Sequence, residues 1–121
     1  MQFIPNYFEH EDGRGRIIGI INKGVWREFN LVTTNAGATR GGHYHKETRE
    51  IISIIQGDVH VEIQKIVNGE KNAPLSFSAH KGDTFCIRPY TLHKLTAITS
   101  STWINVLDKP HNADTPDMWT A

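Results

Sequence analysis

Apolar positions in this chain recur at every second residue in short bursts, and no segment of ten or more residues carries a helical period. The clearest burst is Asp58–Val67, where Val59, Val61 and Ile63 share one face and His60, Glu62 and Gln64 the other. That alternation predicts a half-buried strand. Residues 75–79 alternate again, and residues 84–87, 93–98 and 102–107 are short runs rich in β-branched or aromatic side chains, each of which predicts a strand. Upstream, residues 16–21 and 25–34 read as strands, while residues 2–10, which mix aromatics with Pro5, read as an irregular opening or an edge strand. Turn signals such as Asp12-Gly13-Arg14-Gly15, Asn22-Lys23-Gly24, Asn68-Gly69 and His80-Lys81-Gly82-Asp83 separate them. Residues 108–121 form a polar tail with two prolines and room for one short helical turn at 114–119. Short strands with regular turn signals predict an all-β sandwich or barrel.

One stretch breaks the alternation. Residues 37–57 read Gly-Ala-Thr-Arg-Gly-Gly-His-Tyr-His-Lys-Glu-Thr-Arg-Glu-Ile-Ile-Ser-Ile-Ile-Gln-Gly. His43 and His45 stand two apart, so an extended backbone projects both imidazoles from one face. Glu50 opens the apolar run Ile51, Ile52, Ile54 and Ile55. The expected arrangement is a loop that carries the histidines and a buried strand that carries the carboxylate.

Length and charge narrow the function. A chain of 121 residues supports one core, so a single domain spanning 1–121 is expected. Thirteen basic and thirteen acidic residues cancel, with a pI of about 7.1, which leaves no overall field to draw in nucleic acid or an anionic membrane. Any charged ligand must be held by a local site. Cys86 is the only cysteine, so no intrachain disulfide forms. The opening residues lack a basic and apolar leader pattern, and no run approaches the ~20 apolar residues of a spanning helix. A soluble, cytoplasmic protein is expected.

The spacing Gly-x5-His-x-His-x4-Glu-x6-Gly is met by Gly37, His43, His45, Glu50 and Gly57, and His93 follows Gly82 by eleven residues. The first pattern resembles the first motif of the cupin superfamily. The second resembles that family's second motif in degenerate form, with Arg88, Tyr90 and Ala97 where proline, glycine and asparagine are usual. Motif one spans 37–57 and motif two 82–97. The resemblance implies a single jelly-roll barrel, also called a double-stranded β-helix, with His43, His45, Glu50 and His93 as ligands of one divalent metal. Three imidazoles and a carboxylate suit Zn, Fe, Mn, Ni or Cu, and do not choose among them. The alternative is that these side chains only pack and hydrogen-bond inside the barrel.

A narrower resemblance lies in Thr39-Arg40-Gly41-Gly42-His43-Tyr44-His45-Lys46. It is similar to the Arg-Gly-x-His-x-His-Lys signature of nucleotide-sugar 3,4-ketoisomerases and the Arg-Gly-x-His of 4-keto-6-deoxyhexose 3,5-epimerases, cupins of polysaccharide biosynthesis. The resemblance implies that His43 and His45 move protons and that Arg40 lies near the substrate's charged groups, with Lys46 beside it. Histidine suits this chemistry, because removing a proton α to a ketone and returning it elsewhere needs a group that works as both acid and base. A histidine nitrogen that holds a metal cannot also take a proton. Were a metal to polarise the carbonyl, the proton would pass to another group, and Tyr44, Tyr90 and His60 are the candidates; His60 otherwise reads as a strand-surface residue. The expected function is an isomerase or epimerase of a nucleotide-linked 4-keto-6-deoxy sugar. The alternative is a metal cupin of another kind, either a small-molecule dioxygenase or a non-catalytic ligand-binding barrel. Exposed strand edges in so small a jelly roll predict a homodimer.

Overall fold

The computed structural model describes residues 2–121; Met1, the first residue of the expected domain, lies outside the described residues. Twelve strands follow in order: β1 (Gln2–Phe3), β2 (Phe8–Asp12), β3 (Gly15–Gly19), β4 (Glu28–Thr34), β5 (Thr39–His43), β6 (Glu50–Gln56), β7 (Asp58–Val67), β8 (Glu70–Lys71), β9 (Leu75–His80), β10 (Thr84–Ile87), β11 (Thr91–Ala97) and β12 (Ser101–Leu107). One antiparallel sheet runs β1-β10-β6-β12-β4, and the other runs β5-β11-β7-β8 with β9 also on β7. β2 and β3 form a separate hairpin. This is the expected jelly roll, and among the described residues no helix is long and apolar enough to cross a membrane.

The core lies between the sheets because each contributes the apolar half of its alternation. Ile52, Ile54, Phe85, Ile87 and Trp103 come from the first sheet, and Val59, Val61, Ile63, Ala79 and Leu95 from the second. Burial of side chains this size contributes roughly 1.5–3 kcal/mol each. Phe85 anchors the cluster, fully buried and edge-on to Phe77 at 5.2 Å between ring centroids.

Several boundaries differ from the sequence expectation. The strand expected at 25–34 begins at Glu28, because Val25 is 70% exposed and has nothing to pack on. The histidine segment is not all loop: His43 is the last residue of β5 and pairs with His93 on β11. No helical turn forms at 114–119; Trp119 instead makes a β-bridge with Tyr44, with both backbone hydrogen bonds at 2.9 Å.

Two backbone positions set the geometry of the motifs. Gly41, at φ +100°, lies so close to β11 that a Cβ there would fall on the His93 carbonyl oxygen, so only glycine fits. Tyr90 stands where the second motif usually has glycine, and it adopts φ 60°. The turn keeps a glycine conformation without a glycine, at a strain of roughly 1–2 kcal/mol.

Candidate active site

At one end of the barrel the inward-facing rows turn from apolar to polar. Along β6 the row is Ile54, Ile52, Glu50; along β11 it is Ala97, Leu95, His93; on β12 Asn105 follows Trp103. Ile52, Glu50, Leu95, His93, Trp103 and Asn105, with His43, His45, Arg40 and Gly41, line a cavity of about 600 Å³. Ile52, Leu95, Trp103 and Val32 form its apolar base.

Glu50 is the centre of the floor. It is 6% exposed and accepts from three directions: His45 Nε2 at 3.2 Å, His93 Nε2 at 3.5 Å and Asn105 Nδ2 at 2.9 Å. Burial alone would push its carboxyl up, but the bonds from His45, His93 and Asn105 outweigh that and hold it far below the usual carboxylate range. A buried carboxylate tolerates this site because its oxygens are occupied. Asn105 Oδ1 has no partner. The amide's NH2 must face Glu50, since an ionised carboxylate only accepts.

The three histidine rings meet above Glu50, with centroids 4.7 Å apart for His43 and His93, 5.2 Å for His43 and His45, and 5.6 Å for His45 and His93. Their surroundings separate them. His93 Nδ1 donates to the Thr91 carbonyl at 3.0 Å, and His45 Nδ1 donates to the Asp117 carbonyl at 2.6 Å. For His45 burial opposes charge, but the bonds to Glu50 and to the Asp117 carbonyl raise its pKa above the ordinary value. Both partners of His45 are acceptors, so both are satisfied when the ring carries two protons. His43 is half-buried, and no hydrogen bond contributes to its ionisation. Burial first, then the adjacent His93 and His45, lower its pKa to about 4. It is therefore neutral near pH 7, with a free ring nitrogen.

The donor set fits a divalent metal. One nitrogen from each of His43, His45 and His93 lies within 4.8 Å of the others, and Glu50 adjoins two of them. Backbone carbonyls on Nδ1 of His45 and His93 leave Nε2 pointing inward, as outer partners of metal-binding histidines do. Imidazole and carboxylate ligands suit the Zn, Fe, Mn, Ni or Cu class.

The other sequence candidates are distributed differently. Arg40 lines the cavity, with Nε donating to Thr34 Oγ1 and one terminal nitrogen to the Thr33 carbonyl, both at 2.8 Å. Tyr44 is buried in a separate cluster with Ile66 and Leu92. Tyr90 is 45% exposed beside a shallower depression with Lys65 and Arg88. Lys46 extends its ammonium over the Trp119 ring, 3.7 Å from the centroid. His60 is exposed on β7. None of these four lines the cavity.

The tail supplies what the sequence pattern did not announce. Lys109, His111, Thr115, Asp117 and Met118 form a wall of the cavity. The Asp117 carboxylate accepts from the backbone N–H groups of Lys46 (2.9 Å), Glu47 (2.8 Å) and Thr48 (2.9 Å) and from the Thr48 hydroxyl (2.9 Å). Slight burial opposes its charge, but these bonds hold its carboxyl far below the usual range.

A small antiparallel jelly roll with a histidine cluster at its polar end has the cupin fold, the fold to which both motifs pointed. More narrowly, the chain belongs to the polysaccharide biosynthesis C-terminal domain family, whose profile matches residues 10–119. Among curated proteins it is similar to a UDP-2-acetamido-2,6-beta-L-arabino-hexul-4-ose reductase of Pseudomonas aeruginosa, 32% identical over 60 residues. The match covers 50% of this chain and 16% of the reductase. Among solved structures it is similar to QdtA, a sugar 3,4-ketoisomerase from Thermoanaerobacterium thermosaccharolyticum in complex with TDP, at TM-score 0.79 and 14% identity over 97% of this chain and 85% of that one. It is equally similar in shape to the rmlC epimerase of Mycobacterium tuberculosis, at TM-score 0.79 and 17% identity over 96% of this chain and 66% of that one.

Proposed function

We propose that this chain is an isomerase or epimerase acting on a nucleotide-linked 4-keto-6-deoxy sugar. The observation that carries the reading is the unbonded, neutral His43 ring, placed inside a cavity whose mouth carries Arg40 and whose floor carries charge. The relatives support the substrate class: one is named for a UDP-linked hexul-4-ose, another is a sugar ketoisomerase seen with TDP, and the third is an epimerase.

In this reading a free nitrogen of His43 takes the proton α to the ketone, and the resulting enediol receives a proton at the neighbouring carbon. A doubly protonated His45 would favour the negative charge that develops on the sugar oxygen. Arg40, anchored on Thr33 and Thr34, offers its remaining N–H groups to the diphosphate. His43, His45, His93 and Glu50 would hold a divalent metal, which would supply Lewis-acid polarisation of the carbonyl. A His43 nitrogen that held the metal could not also take the proton, so those two roles of His43 are alternatives. Tyr44, Tyr90, Lys46 and His60 have no part in this scheme.

The test is incubation with dTDP- and UDP-linked 4-keto-6-deoxy sugars in deuterated water, followed by NMR and mass spectrometry. Deuterium at the carbon next to the ketone, with or without a new sugar, is the expected result. No incorporation with either nucleotide overturns the proposal. A stoichiometric redox metal without sugar turnover supports the other metal-cupin reading instead, for which the three clustered histidines are the supporting observation.

We further propose that residues 1–121 act as one domain and that the barrel pairs as a homodimer. β4 is the outer strand of its sheet, and Phe29 and Leu31 on it are 67% and 68% exposed. A single monomeric species in sedimentation velocity at micromolar concentration would reject the pairing.

A further inference from the structure

The C-terminal tail has no apolar period and buries almost nothing, yet it makes the densest set of polar contacts near the cavity. Asp117 grips the segment after His45 from two sides. Its carboxylate takes the N–H groups of three consecutive residues, Lys46 to Thr48, together with the Thr48 hydroxyl. Its own carbonyl takes the Nδ1–H of His45 at 2.6 Å. The contacts close a ring: the loop locates Asp117, and Asp117 locates the imidazole at the start of that loop. Neighbouring contacts brace the ring. The Tyr44–Trp119 bridge holds the backbone on either side, Trp119 Nε1 donates to Asp117 Oδ1 at 3.1 Å, and the Tyr90 N–H donates to the His45 carbonyl at 2.7 Å.

The consequence concerns which nitrogen of His45 faces the cavity. A ring whose Nδ1–H is committed to a backbone carbonyl presents Nε2 to Glu50 and to the other histidines, and cannot flip without losing the bond. A flexible tail would leave that choice open.

We infer that Asp117 is a positioning residue for His45: its carboxylate docks the tail on the 46–48 loop so that its carbonyl fixes the imidazole with Nδ1 protonated and Nε2 directed into the cavity. The inference rests on the reading of His45 as a site residue. The docking also seats the tail as a wall of the cavity.

The test uses the full chain and does not depend on sugar turnover. With ¹⁵N-histidine labelling, the native protein shows a downfield, slowly exchanging Nδ1–H for His45. In Asp117→Ala that signal is lost while the amide spectrum of core residues such as Val61 and Phe85 is unchanged. Titration with Co²⁺ alone, followed by its visible absorption, shows an affinity about 10–100-fold lower in Asp117→Ala than in the native chain. Asp117→Asn keeps one acceptor oxygen and falls between the two. The inference is overturned if Asp117→Ala keeps the Nδ1–H signal, or if native His45 is protonated on Nε2 alone. It is equally overturned if the signal disappears only together with the core amides, because Asp117 would then serve stability alone. If Co²⁺ does not bind the native chain, the metal reading falls, and the Nδ1–H signal still decides the positioning role.

Discussion

The two ends of the barrel interior obey different rules. At the closed end Phe85, Ile54, Val59 and Val61 are at most 1% exposed and touch one another without any polar partner. At the open end Glu50, His45 and His93 are nearly as buried, at 6%, 6% and 2%, yet the polar atoms of these three side chains answer to named partners. The closed end tolerates exchange among side chains of similar volume. The open end does not, because a buried donor or acceptor left alone costs its full desolvation. One end holds the molecule together, and the other gives up some of that stability to gather ionisable groups.

The sharpest way to break this contrast is His43→Asn. His43 is half-buried and makes no hydrogen bond that a substitution would strand, so the expected loss is in turnover, ~10²–10⁴-fold, with stability nearly unchanged. Chemical denaturation beside the deuterium assay separates the two, and a large loss of stability with turnover retained would erase the distinction. Phe85→Ala is the reciprocal change. It should cost about 3–5 kcal/mol of stability, read as a shift in denaturant midpoint, while turnover per folded molecule stays near native. Arg40→Ala acts at the cavity mouth and removes the substrate contact proposed for it, so KM should rise about tenfold, equivalent to ~1.4 kcal/mol, with kcat little changed; an unaltered KM would remove Arg40 from the site. The smallest effect is expected at Tyr90→Gly, where relief of the positive φ should raise stability by roughly 1 kcal/mol. A drop in melting temperature would mean that the Tyr90 ring, 6.1 Å from that of Tyr44, contributes more than its backbone strain costs.

How far the sequence could be read follows the same division. Alternation located β7 and β9 because packing against a core leaves a period of two. His43, His45, Glu50 and His93 were legible as a group through the resemblance to the cupin motifs, and the structure brings their side chains together. The apolar composition around Val25 overextended β4, because composition cannot tell an exposed valine from a packed one. Asn105 was invisible for a related reason: on an alternating strand, a polar residue facing inward at the cavity resembles one facing solvent. Asp117 left no local trace at all. Its partners in the 45–48 segment are 69 to 72 residues away, and nothing in a polar tail marks which carboxylate will find them.

Gly41 ties the two motifs together more tightly than their separation in the chain suggests. Its missing Cβ leaves the space taken by the His93 carbonyl, beside the irregular step between His93 and Lys94 where β5 and β11 slip register. A library that randomises position 41 alone should therefore return glycine, whatever activity is selected. Grafting the β11 histidine into a barrel with a bulkier residue at the matching place would transfer the side chain and lose its aim. For protein engineers the unit of inheritance here is the strand pair, and neither motif can be redesigned while the other is held constant.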